Sequence, residues 1–195
     1  MRALRAHVRC DELGPAVASP DAYPSWKFYP SRDPAPTWVE GVVDAFASAA
    51  DQIDSRKLSG VSSDSALAAI RAPLVALGFD VEASKQKTDK ITRPVLYGEQ
   101  GSVLVQYDVD AFHPAHGIVI EVEAGRGAAS NADYRDIVRA SLMVDVRYLV
   151  LAMMLEYRGG GQVMKSYAIA KARVDAIYAG ERLALPLDGL LLIGY

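Results

Sequence analysis

The sequence predicts a mixed β-sheet flanked by helices, an α/β or α+β sandwich. Three observations carry this reading. From residue 64 onward, helical and strand-like runs follow in the order α-β-(β)-β-β-α-β-α-β, the pattern of a sheet covered by helices. "VRYLVLAMML", 146–155, is too uniformly apolar for a half-exposed strand and reads as a central strand covered on both faces. "GIVIEVEA", 117–124, alternates, so aliphatics fall on one strand face and acids on the other.

The elements follow in order. Residues 1–36 read as an irregular arm, because "SPDAYPSWKFYPSRDPAP" is crowded with X-Pro pairs that push the chain extended. Trp26, Phe28 and Tyr29 in it are expected to pin the arm to the core, with a base-stacking platform as the alternative. Residues 37–195 form the single domain. "TWVE" predicts a helix opening in a capping box, Thr37 as N-cap and Glu40 reaching back. Trp38, Val39, Val42, Val43, Phe46 and Ile53 recur at helical spacing behind it. A second helix is expected from Asp64, burying Leu67, Ile70, Leu74 and Leu77, kinked or split at Pro73 and capped by Gly78. "FDVEA", 79–83, reads as a strand, followed by strand-like "PVLYGE", "SVLVQYDVDAF" and "GIVIEVEA", the last two as a hairpin. A helix over 131–143 should share a face of Tyr134, Ile137, Val138, Ser141 and Leu142, with Tyr134 and Leu142 in the core. A loop at Gly159–Gly161, a helix near 163–178 and the strand "GLLLIGY" complete the chain.

Composition narrows the function classes. A net charge of −3 argues against a general polyanion-coating protein, while leaving room for a local nucleic-acid groove. The single cysteine, Cys10, excludes an intrachain disulfide, and no Cys/His cluster suggests zinc. A reducing, cytoplasmic location is the simplest reading. The N-terminus lacks an apolar h-region, and the most apolar later stretch is broken by Asp145 and Arg147, so no membrane association is expected.

The chemistry concentrates in "YDVDAFHPAHGIVIEVEAGRG", 107–127. Asp108 and Asp110 share one face of their strand, and Glu121 and Glu123 share one face of theirs. If the runs pair through the turn at 111–117, the acids converge. Carboxylates that close repel unless a cation joins them. Mg²⁺ or Mn²⁺ is the natural partner of such hard oxygen donors. The chemistry this suits is phosphodiester hydrolysis, in which the ion activates water and shields developing charge. His113 and His116 sit in the turn and read as solvated rather than as ligands.

The quoted residues "DVDAF…GIVIEVEAGRG…YRDIVRASL…RYLVLAMM" resemble the PD-(D/E)XK nuclease superfamily over about residues 64–155. The resemblance implies a restriction endonuclease-like core of a helix, a three-strand meander, a helix and a further strand. It implies a Mg²⁺-dependent endodeoxyribonuclease, with Mn²⁺ able to substitute and DNA as partner. Asp110 and Glu121 would hold the metal, with the Val122 carbonyl as a further ligand. Glu123 would stand where the family usually has lysine, similar to the BamHI/BglII-type branch, and as a catalytic residue would accept a proton or bind a second metal. The departure also leaves a catalytically inert DNA- or protein-binding module as the alternative. Asp64 and Glu82 are rival upstream acids, and Asp108 rivals Asp110. Lys85, Lys87, Lys90 and Arg126 are candidates for DNA phosphates, with Arg93, Arg135 and Arg139 near them in sequence. A homodimer is an expectation by analogy, since nucleases that cut both strands are often symmetric; whether an operon partner exists is left open.

Overall fold

A computed structural model describes residues 22–125, 130–159, 161–180 and 182–195. Five helices and ten strands lie among them, α1 Trp38–Ser48, α2 Ala50–Ile53, α3 Ser63–Ala76, α4 Ala132–Leu142 and α5 Ser166–Gly180, with β1 Ser25–Tyr29, β2 Asp80–Val81, β3 Ile91–Tyr97, β4 Val103–Val109, β5 Ala111–His113, β6 Ile118–Glu123, β7 Tyr148–Met153, β8 Tyr157–Gly159, β9 Gln162–Met164 and β10 Gly189–Gly194. The main sheet has the order β1-β10-β7-β6-β5-β2. Its centre, β10-β7-β6, is parallel, while β1, β5 and β2 join antiparallel. The mixed sheet flanked by helices is the architecture the sequence predicts.

Alternation along the strands sorts two cores. One face of the sheet gives Ile118, Ile120, Val150, Ala152, Leu191 and Ile193 to a cluster with Val42, Phe46, Ile53, Ile70 and Leu74 of the first three helices. The other gives Val119, Leu149, Leu151, Leu190 and Leu192 to Ile137 and Ala140 of α4 and Ala170 and Val174 of α5. The helices α4 and α5 are the crossovers between parallel strands, which is why they cover a single face together. The central strand β7 is buried from Leu149 to Met153, as its apolar run requires.

Several local expectations are corrected. Residues 25–29 are not irregular: they form β1 and pair with β10 from Ser25↔Gly194 to Tyr29↔Leu190. The alternating "SWKFY" satisfies an edge strand whose backbone hydrogen bonds have a partner far along the chain. Phe28 and Tyr29 are buried while Trp26 is exposed, so the aromatics anchor the strand. The arm's residues 1–21, Cys10 included, lie outside the described residues. Thr37 precedes α1 but makes no side-chain cap, because its backbone is already helical; the cap geometry needs an extended residue. The reciprocal capping box sits instead on α3, where the Ser62 hydroxyl accepts the Ser65 N–H at 3.1 Å and Ser65 returns the bond at 2.9 Å.

Helix α3 runs through Pro73 without splitting. The lost N–H falls near the last turn, and Gly78, at φ +95°, takes the left-handed position after it. Leu77 is exposed rather than buried. "SVLVQYDVDAF" breaks at Asp110: β3 and β4 leave the sheet as a separate antiparallel ribbon, and only β5 pairs with β6. The three-strand meander is therefore β2-β5-β6, with β2 only two residues long. Tyr134, Val138 and Leu142 face solvent, whereas Ala132, Asp133, Asp136, Ile137 and Ala140 are buried. The buried face of α4 accepts acids because arginines pair with them: Arg173 of α5 holds both oxygens of Asp133 at 2.8 and 2.9 Å. The helix expected from 163 begins at Ser166, since Gln162–Met164 turns back on β8. None of the described helices is long and apolar enough to cross a membrane.

Candidate metal centre

Glu121 and Glu123 lie at the carboxyl end of β6, on the face covered by α4. This is the end of a parallel strand where open sheets place their sites. Asp110 is brought there by the break between β4 and β5. Its backbone carbonyl accepts the Glu82 N–H at 2.8 Å. Its Oδ2 accepts the Val122 N–H, also at 2.8 Å, so the aspartate side chain spans to the strand between the two glutamates. Asp110, Glu121, Val122 and Glu123 line one cleft of 240 Å³ with Ser63, Glu82, Lys85, Lys90, Asp108, Arg135 and Arg139.

The acids of this cleft differ in how they are satisfied. Glu82 is buried, and Lys90 Nζ donates to both its oxygens at 3.0 and 2.9 Å, with Lys85 at 3.3 Å. Glu123 is paired with the Arg135 guanidinium. Arg135 is itself held by Asp136, which accepts from Nε at 3.0 Å and lies 3.7 Å from Arg139. Glu121 is 7% exposed, and its Oε1 is buried with no hydrogen-bond partner. A buried carboxylate oxygen without a donor is rare and costly.

The electrostatics follow from this arrangement. Burial pushes the Asp110 carboxyl up, opposed by the Val122 N–H. Burial raises Glu121 well above the usual carboxylate range, reinforced by Asp110 and Asp136. Burial and then Asp136 raise Glu123 to about 7, with Arg135 pulling the other way.

These residues fit a hard divalent cation. The donors are carboxylate oxygens, one of them orphaned and facing like charge, which a cation would relieve. Among the described residues no three His, Cys, Asp or Glu side chains form a ready-made cage. Two carboxylates suit Mg²⁺, which keeps several waters and binds through one or two of them.

The other sequence candidates separate. Asp108 is exposed, and its carbonyl accepts from Arg139. Of the rival upstream acids, Glu82 is buried in the cleft, while Asp64 is exposed and pairs with Lys85 at 2.8 Å. Lys85 and Lys90 line the cleft; Lys87 is exposed in the short turn Lys87–Asp89 and does not. Arg126 lies outside the described residues. Arg93 is paired with Asp145 and stacked 3.8 Å from the Phe112 ring centre, a structural role. His113 contacts the Leu77 carbonyl at 3.1 Å, between Phe79 and His116, away from the carboxylates. Sequence reasoning missed Asp136, whose signal was an acid flanked by arginines at −1 and +3 in "RDIVR".

No family profile and no curated protein matches the chain. Among solved structures, it is similar to the restriction endonuclease BglII, solved in complex with a DNA 16-mer, with a TM-score of 0.53 at 11% sequence identity. The match covers 89% of this chain and 78% of that one. The fold is restriction endonuclease-like.

Proposed function

We propose that this chain is a Mg²⁺-dependent endodeoxyribonuclease of the BamHI/BglII-type branch, with Mn²⁺ able to substitute. The observation that carries the reading is the orphaned, buried Oε1 of Glu121 beside Asp110, in a cleft on a restriction endonuclease-like fold. Asp110 and Glu121 hold the cation, and the Val122 carbonyl is a further ligand. A bound divalent ion supplies Lewis acidity and an activated water. Glu123, raised to about 7, accepts the proton of the attacking water at a carboxylate oxygen. That replaces the role lysine plays in the acid-x-Lys pattern. Lys85, Lys90 and Arg139 line the same cleft and engage DNA phosphates, with Lys87 on the turn beyond. The BglII structure's DNA ligand supports DNA as the substrate class.

The test is supercoiled and linear plasmid incubated with the purified protein in Mg²⁺ or Mn²⁺. Wild type is expected to cut; no cutting in either ion overturns the assignment. A second reading, an inert binding module, is favoured by one observation, the engagement of Glu123 by Arg135. DNA retained in a gel shift without cleavage would select it.

We also propose a homodimer, formed through the exposed stripe of Tyr134, Val138 and Leu142 on α4 with Leu183 beside it. Two clefts related by a two-fold axis would each serve one strand of a duplex, and this stripe lies on the helix that also carries Arg135 and Arg139. The double variant Val138→Asp/Leu142→Glu is expected to sediment as a monomer and to nick plasmid rather than linearise it. A wild type that sediments as a monomer refutes the pairing.

A further inference from the structure

We propose that Arg135 is a built-in counter-cation that limits this centre to one divalent ion. The inference rests on Asp110 and Glu121 as the metal ligands. The acids of the cleft fall into two groups. Glu82 is satisfied by Lys90 and Lys85, and Glu123 by Arg135. Asp136, which is fully buried, is satisfied by Arg135 and Arg139. Asp108 is exposed to solvent. Among the described residues no basic side chain forms an ion pair with Asp110 or Glu121. The unpaired charge therefore matches one dication.

The pairing of Glu123 is prebuilt. Arg135 donates Nε to Asp136 Oδ1 at 3.0 Å, places Nη2 3.4 Å from Oδ2, and extends the same Nη2 to Glu123. A guanidinium is planar and always charged, so a two-point hold on Asp136 fixes where its remaining N–H points. That point is Glu123, the carboxylate a second ion would need. Two-metal sites place their ions about 4 Å apart, and the Arg135 guanidinium already occupies Glu123, the carboxylate such a second ion would share. Arg135 thereby keeps Glu123 off the metal.

The test counts ions with no DNA present. Mn²⁺ is titrated calorimetrically, and free Mn²⁺ is followed in parallel by its electron paramagnetic resonance signal. Wild type is expected to bind one Mn²⁺ per chain and Arg135→Gln two. Arg135→Lys, which keeps the charge, should stay at one, and the double variant Arg135→Gln/Glu123→Gln should return to one. Glu123→Gln alone should still bind one ion, since Glu123 is not a ligand in the wild type. Two ions or none in the wild type overturns the proposal, as does one ion in Arg135→Gln or loss of the ion in Glu123→Gln. The Arg135 side chain is 54% exposed, but its replacement takes the closer partner from the buried Asp136, so each variant's fold is checked by circular dichroism and the charge-keeping Arg135→Lys serves as the control. Plasmid cleavage is scored separately: a protein that shows the one-to-two change but cuts no DNA refutes only the nuclease assignment.

Discussion

Glu121→Gln strongly reduces metal-dependent cleavage and raises the melting temperature of the metal-free protein. The loss is expected to reach about 10³-fold, because a ligand supplying several kcal/mol of charge stabilisation at about 1.4 kcal/mol per decade is removed. The gain in stability has the opposite origin. Glu121 is buried with an unpartnered oxygen, and burial with the nearby Asp110 and Asp136 charges holds its carboxyl well above the usual range. The folded state therefore binds this proton more tightly than the unfolded state. Between the two pKa values the unfolded chain has released a proton that the folded one retains, so stability falls as pH rises through that window. An amide has no charge to desolvate, so the variant should melt above wild type at pH 8 and lose that advantage near pH 4. Added Mg²⁺ should stabilise wild type and not the variant, since only a ligand bound by the folded state shifts the equilibrium. Thermal melts at the two pH values, with and without Mg²⁺, check this. A variant that melts below wild type at pH 8 without metal would show that Glu121 is not the strained group described here.

Leu151→Ala costs about 4 kcal/mol and lowers the melting temperature by about 12 °C, the range for a cavity left in a rigid core of this size. Leu151 is fully buried on the central strand, directly opposite Glu121 in the register of β6 and β7. Its side chain packs with Val119, Ile137 and Leu192 between the sheet and α4. The truncation thus leaves its void under β7, beside the strand that carries the candidate ligands. Chemical denaturation measures the cost; a loss under about 1 kcal/mol would mean that α4 settles into the space.

The sheet and its central strand were legible because apolar runs and alternation report burial directly. Glu121 stood out for the same reason: an acid in an aliphatic strand has few structural explanations. Asp110 was legible as a residue, but the break that positions it was not. Residues 102–112 read as one continuous strand, and nothing in the alternation marks where β4 leaves the sheet. On α4 the rule of burying the more apolar face misled. Tyr134, Val138 and Leu142 are the greasier stripe, yet the helix turns Asp133 and Asp136 inward because Arg173, Arg135 and Arg139 meet them there. Pairing between segments distant in sequence cannot be read from a period of 3.6. The same holds for β1, whose partner lies at the other end of the chain.

That last pairing has a kinetic side. Ser25 meets Gly194 and Tyr29 meets Leu190, so the edge of the sheet closes over nearly the whole chain length. Closing so long a loop is entropically slow compared with joining β6 to β7 across one helix. The strand bearing Glu121 and Glu123 is thus expected to assemble with β7 first, and the β10 edge to stay open until β1 docks. Pulse-labelled hydrogen exchange should protect β6 and β7 amides before those of β1. During that interval β10, an apolar strand buried along its full length once folded, is the segment most open to pairing with another chain.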